Sequence, residues 1–117
     1  MALVLSIGSD PSLMFTRQLL LEQEGHTVVG VTDEKALAAA CELHPFDVAV
    51  LSHALSSNMK QHVAFLIRGH CPSVKALELY SITNGRALDD ADSWIEVPGN
   101  GPRQLTTAVA ELATKRT

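Results

Sequence analysis

Three pairs of polar residues in this 117-residue chain follow apolar runs, where a chain leaving a sheet presents its side chains: Ser9-Asp10, Ser52-His53 and Tyr80-Ser81. Ser52 beside His53 has the residue types of a nucleophile and its base. Consecutive strand residues point to opposite faces, however, so the two are expected on different sides of a sheet. A serine hydroxyl without a base is a weak nucleophile. Asp10 is a single carboxylate, whereas Mg²⁺ takes one or two together with phosphate and water. Standing before Pro11, Asp10 also suits a helix N-cap. Gly8-Ser9-Asp10-Pro11 offers too few flexible backbone donors for a phosphate loop, and Asn84-Gly85 is a turn signal. The five histidines are scattered without metal-site spacing. Cys41 and Cys71 read as isolated thiols, the first a small helix residue facing a sheet and the second in a loop, with nothing to suggest an oxidising compartment. No metal or cofactor site is expected.

These groups must be positioned by alternating strands and helices. Leu3–Ile7 is an apolar run of the kind found in a strand covered on both faces. Ser9 or Asp10 caps a helix that ends near Glu24, with Gly25 suited to a left-handed C-terminal position. Thr27–Val31 is a β-branched strand, and Thr32 or Asp33 caps an alanine-rich helix over Glu34–Leu43. Asp47–Leu51, Val74–Leu79 and Ser93–Val97 are three further strands. Asn58–Gly69 is a helix with Val63, Leu66 and Ile67 on its apolar side. Gly99-Asn100-Gly101 forms a turn before a last helix over Pro102–Ala113. The alternation predicts βαβ crossovers and a flavodoxin-like, doubly wound parallel sheet of order 2-1-3-4-5. Its ligand crevice lies beyond strands 1 and 3, where the winding reverses. Ser9, Asp10, Ser52 and His53 should border it.

Length and composition set the outer limits. The chain suits one domain, residues 1–117, with one adequate core. A net charge of -4, with only Lys115-Arg116 as a basic end, argues against nucleic acid. No apolar run reaches membrane-spanning length and no signal peptide is visible, so the cytoplasm is the expected location.

Four segments, in order, resemble a response-regulator receiver domain of the CheY-like kind. They are Asp10-Pro11-Ser12-Leu13, EGHTVVGVTDEKALAAA (Glu24–Ala40), HPFDVAVLS (His44–Ser52) and ADSWIEVP (Ala91–Pro98). The resemblance implies where that family's phosphotransfer groups would stand. Two metal-binding acids match Gly8 and Ser9, with Asp10 following. The phosphate-accepting aspartate matches Ser52. The switch hydroxyl position matches Tyr80, followed by Ser81, and the lysine matches Val97, before the usual proline at Pro98. The coupled aromatic matches Trp94. Aspartyl phosphorylation needs a carboxylate nucleophile, Mg²⁺ and a cation on the phosphoryl oxygens. The resemblance therefore implies a degenerate pocket without catalysis. Asp47 does not replace the nucleophile, because it stands about 16 Å from Ser52 along an extended strand.

Other roles remain open for these residues. Ser52 is a passive replacement or a kinase-modified serine. Tyr80 is a packing residue that fills the emptied crevice or a switch. Trp94 is a partner-facing anchor or a half-buried structural ring. Only thirteen residues separate Tyr80 from Trp94, so the helix between strands four and five should be shortened, with Asp89–Asp92 exposed. One functional class is then a phosphorylation-independent protein-interaction module in bacterial signal transduction, binding protein partners and able to homodimerise. The other is a small-molecule-binding domain or enzyme that uses the crevice.

Overall fold

The computed structural model describes residues 2–97 and 102–114. β1 (Leu3–Ile7) leads to α1 (Pro11–Gln23), β2 (Thr27–Val31), α2 (Glu34–Leu43), β3 (Val48–Leu51), α3 (Ser57–His70), β4 (Lys75–Ser81), β5 (Ser93–Val97) and α4 (Pro102–Thr114). All four strand pairings are parallel, in the order β2-β1-β3-β4-β5. The expected topology is therefore present. Ile7, Leu51, Glu78 and Trp94 stand side by side across four strands. That row places the C-terminal strand ends, and hence the crevice, at one edge.

Alternation along each strand divides the core into two layers. Leu5, Ile7, Ala49 and Leu51 pack under α2 and α3 with Leu37, Ala40, Val63, Ala64 and Ile67. Val4, Val48, Val50, Leu77 and Leu79 pack on the other face with Leu21 of α1 and Leu105, Val109 and Leu112 of α4. A doubly covered sheet explains why the central strands are continuously apolar.

Local chemistry sets the helix ends. The Asp10 carboxylate accepts from Ser12 N and Leu13 N, Asp33 from Ala36 N, and Ser56 from Met59 N. At the end of α1, Gly25 adopts φ of +89°. Its N–H donates to Glu22 O and that of His26 to Leu21 O, which satisfies carbonyls the helix leaves open.

Three features differ from the sequence expectation. The helix between β4 and β5 is not merely shortened: residues 82–92 form turns and bends without a helix. Asp89, Asp90 and Asp92 are exposed as expected, but Ala91 between them is buried. Cys41 and Cys71 are not isolated thiols but a disulfide pair. The turn at Gly99–Gly101, Pro98 and the basic pair Lys115-Arg116 lie outside the described residues.

Candidate functional site

The crevice begins at Gly8 and Ser52. Ser52 follows the last paired residue of β3, and its N–H donates to Ile7 O at 2.9 Å. Gly8 is buried beside it. A Cβ built at Gly8 would sit 3.0 Å from Ser52 Cβ and 3.1 Å from Met14 Sδ. The close approach of β1, β3 and α1 therefore leaves a side chain at Gly8 crowded unless Ser52 and Met14 give way. Ser9 and Asp10 are exposed. One Asp10 oxygen caps α1, which is the structural role open to it from sequence.

Arg17 is the side chain that completes this site, and nothing in its local sequence marks it. It stands seven residues after Asp10, two turns into α1 and on the same side of the helix. Its Nη1 donates to Ser52 Oγ at 3.1 Å, and its Nη2 lies 2.9 Å from His53 Nδ1. A guanidinium only donates, so Nδ1 accepts and the ring is neutral with its proton on Nε2. Ser52 Oγ also accepts from Ala54 N at 3.3 Å. The expectation that Ser52 and His53 face opposite ways is thus corrected. Strand pairing stops at Leu51. A turn follows, closed by Leu55 N to Ser52 O, so strict alternation no longer applies. Ser52 and His53 then reach the same guanidinium.

Burial lowers the pKa of Arg17 from its ordinary value, and the charge of Asp10 opposes that shift. Among the described residues no carboxylate reaches Arg17 at ion-pair distance. Burial also lowers the His53 pKa, helped by the positive charges of Arg17 and Lys60. A neutral His53 held by a donor is not placed to deprotonate Ser52, since its acceptor nitrogen is occupied. Nor do these residues fit Mg²⁺. The positions nearest the strand ends offer a glycine, two hydroxyls and a guanidinium, while Asp10 is held as a cap. Among the described residues no group of three His, Cys, Asp or Glu side chains could hold a metal.

The remaining expected positions serve the β4–β5 connection. Tyr80 is half-buried, and its ring centroid is 5.3 Å from the Arg86 guanidinium carbon. Arg17 bonds to Ser52 and His53 at the crevice, while the Tyr80 ring packs against the loop cation Arg86. Ser81 Oγ accepts from Asn84 N, and Ser81 O accepts from Gly85 N. Gly85, at φ of +70°, completes the turn. Val97 pairs with Ser81 and packs on the layer under α4.

Trp94 is half-buried against the layer under α2 and α3. Its Nε1 donates to Leu88 O at 2.8 Å, and Arg86 lies 4.7 Å from its ring. It also lines a groove of about 390 Å³ between β5 and α4, with Arg103, Thr107 and Glu111. The indole is thus held by Leu88 O and Arg86 on the side of α2 and α3, and the residue also lines the groove between β5 and α4.

A buried ion pair underlies the same connection. Lys60 of α3 and Glu78 of β4 are 3% and 0% exposed and meet at 2.8 Å. Lys60 Nζ also donates to Leu79 O. The Glu78 carboxylate accepts from Ala87 N at 2.7 Å and Leu88 N at 2.9 Å. It therefore supplies to residues 87 and 88 the acceptors that a helix would have supplied internally. Gln61 to Ala87 O and the exposed pair Arg68–Asp90 add further ties from α3. One sequence signal pointed to Glu78: alternation between Leu77 and Leu79 puts it on the opposite, equally covered face.

No family model and no curated protein matches the chain. Solved structures do. A response regulator from Thermotoga maritima matches with a TM-score of 0.74 and 16% identity, over 98% of this chain and 99% of that one. A response regulator receiver domain protein from Clostridium thermocellum matches with a TM-score of 0.76 and 18% identity, over 97% and 94%. The receiver domain of sensor histidine kinase PA1611 from Pseudomonas aeruginosa, with a magnesium ion coordinated in its active site cleft, matches at 0.75 and 14%, over 97% and 98%. By topology and by these likenesses, the chain has the flavodoxin-like fold of response-regulator receiver domains.

Proposed function

We propose that the chain is a degenerate receiver, a pseudo-receiver. It would act as a phosphorylation-independent protein-interaction module in bacterial signal transduction. The observation that carries this reading is Arg17 bonded to both Ser52 and His53. A guanidinium occupies the place beside the acceptor position where aspartyl phosphorylation requires a metal cation, and a hydroxyl stands where it requires a carboxylate. The proposed partner is a protein, with a second copy of the chain as one such partner. The proposed contact face comprises Trp94, residues 82–92 and α4, where the missing helix makes the surface depart most from an ordinary receiver. Neither nucleic acid nor membrane is a proposed partner. Among the described residues no helix is long and apolar enough to cross a bilayer. Use of the crevice for a small ligand is the weaker reading, because Arg17 already engages both Ser52 and His53 there.

Incubation with acetyl phosphate and Mg²⁺, followed by intact-mass measurement, tests the proposal. No adduct is expected on the natural chain or on Ser52→Asp, whose new carboxylate would pair with Arg17. A stoichiometric acid-labile phosphate adduct on the natural chain would overturn it.

A further inference from the structure

Cys41 lies in the last full turn of α2, and Cys71 is the C-cap of α3. Thirty positions separate them in sequence, and their Cα atoms are 5.8 Å apart, joined through a disulfide. The bond sits at the edge where β3 and β4 begin, opposite the crevice. It opens into a cavity of about 370 Å³ lined by His44, Phe46, His70, Lys75 and Leu112. We propose that Cys41 and Cys71 form a reversible thiol–disulfide exchange site for small cellular thiols and disulfides.

Three observations support this. First, α2 and α3 also meet through apolar contacts that do not involve the bond. Leu37 and Ala40 of α2 already pack with Val63, Ala64 and Ile67 of α3, and a chain of this length can bury an adequate core without a staple. Second, the bond can be reached. The cavity is of ligand size, and Cys71 is half-buried, whereas Cys41 is only 8% exposed. Third, His44, His70 and Lys75 line the same cavity. Cationic groups favour a thiolate and imidazoles accept its proton.

The exposure difference gives the exchange a direction. An incoming thiolate attacks Cys71 Sγ, the Cys41–Cys71 bond breaks, and its electron pair leaves on Cys41 Sγ, which takes a proton. A second thiolate attacks the outer sulfur of the mixed disulfide. It releases Cys71 as a thiolate and forms the small-molecule disulfide. Oxidation runs the same steps backwards, with that disulfide as the two-electron oxidant. Reduction frees the α3 cap, from which the chain enters β4 through Val74 N to Cys71 O and Lys75 N to Asp47 O.

The test equilibrates the folded protein in glutathione buffers from fully reduced to fully oxidised, quenches in acid, alkylates free thiols and reads intact mass. The expected result is one reversible transition in which both cysteines become alkylated together. Hydrogen exchange over residues 41–46 and 67–74 should rise about tenfold on reduction. The Cys41→Ser variant should capture glutathione on Cys71, while Cys71→Ser should leave Cys41 largely unmodified. A pair that never oxidises, or that stays oxidised in the folded protein under excess dithiothreitol, would overturn the proposal. Preferential capture on Cys41 would overturn its direction. The titration of the unaltered chain decides the main point even if a variant does not fold.

Discussion

Gly8, Arg17, Ser52 and His53 act as one unit, and each constrains what the others can do. An acid at Gly8 would crowd its Cβ against Ser52 Cβ and the Met14 side chain, which would have to shift by a few tenths of an ångström. Gly8→Asp should therefore destabilise the fold by about 1–3 kcal/mol, the usual cost of overpacking, measured by urea unfolding. The buried pair behaves differently. Lys60→Met leaves the Glu78 carboxylate fully buried without its cation, and loss of one partner of such a pair costs about 3–5 kcal/mol. Replacing Glu78 as well should recover part of that loss, but Ala87 and Leu88 would still lack their acceptor. A Lys60→Met change that left the unfolding midpoint unaltered would remove the pair from the account of the fold.

Histidines add a pH dependence at the same scale. Burial lowers the pKa of both His26, whose Nδ1 accepts from Ala2 N, and His53, whose Nδ1 accepts from Arg17. Their folded-state values lie below that of an unfolded histidine, near 6.5. The neutral rings thus contribute stability that is present above about pH 6.5 and is lost as the pH falls below it towards the folded values. Unfolding free energy should decline through that window in the natural chain and decline less steeply in His26→Gln/His53→Gln. Equal slopes would show that other groups govern the acid limb.

At the scale of the element, the β4–β5 connection is an irregular segment fastened at a few points. Without helical hydrogen bonds, most amides of residues 82–92 should exchange quickly compared with the sheet. Ala87 and Leu88, held by the buried Glu78 carboxylate, should be among the slow exceptions, beside the bonded amides of Gly85 and Asp92. Glu78→Gln should speed exchange at Ala87 and Leu88 most, because a neutral amide offers one oxygen where the carboxylate uses two, on top of a general rise from leaving Lys60 buried without its anion. Trp94 belongs to the same fastening. Trp94→Phe keeps a ring for Arg86 but removes the N–H that reaches Leu88 O, so its effect should resemble loss of one hydrogen bond, about 1 kcal/mol. If Trp94 is also an interface anchor, Trp94→Ala should weaken protein-partner affinity roughly tenfold or more in a titration. Ser52→Ala should leave that affinity unchanged. Circular dichroism must show that both variants remain folded.

At the scale of the whole molecule, the two ends of the sheet differ in kind. The C-terminal strand ends carry a polar cluster closed by Arg17, and the N-terminal ends carry an open cavity with a covalent tie. Closing a loop of 30 residues restricts the unfolded chain, which in chain-entropy terms is about 3–4 kcal/mol of stability. Urea unfolding with and without reductant should differ by that order, with the reduced chain still folded because its two-layer core is intact.

The strand runs, the caps at Asp10, Asp33 and the Gly25 stop were legible because they depend on neighbours a few residues away. The sheet order followed from them through crossover handedness, and with it the place of Gly8, Asp10 and Ser52 at one edge. The absence of acids at Gly8, Ser9 and Ser52 could likewise be read directly. Tertiary structure alone decided what replaced them. Arg17 reaches Ser52 and His53 across 35 and 36 positions, Lys60 reaches Glu78 across 18, and Cys41 reaches Cys71 across 30. Periodicity assigns a residue to a face of its own element. It does not say which polar group on another element will stand opposite once the register is set, and that pairing determines whether a buried charge or thiol is satisfied.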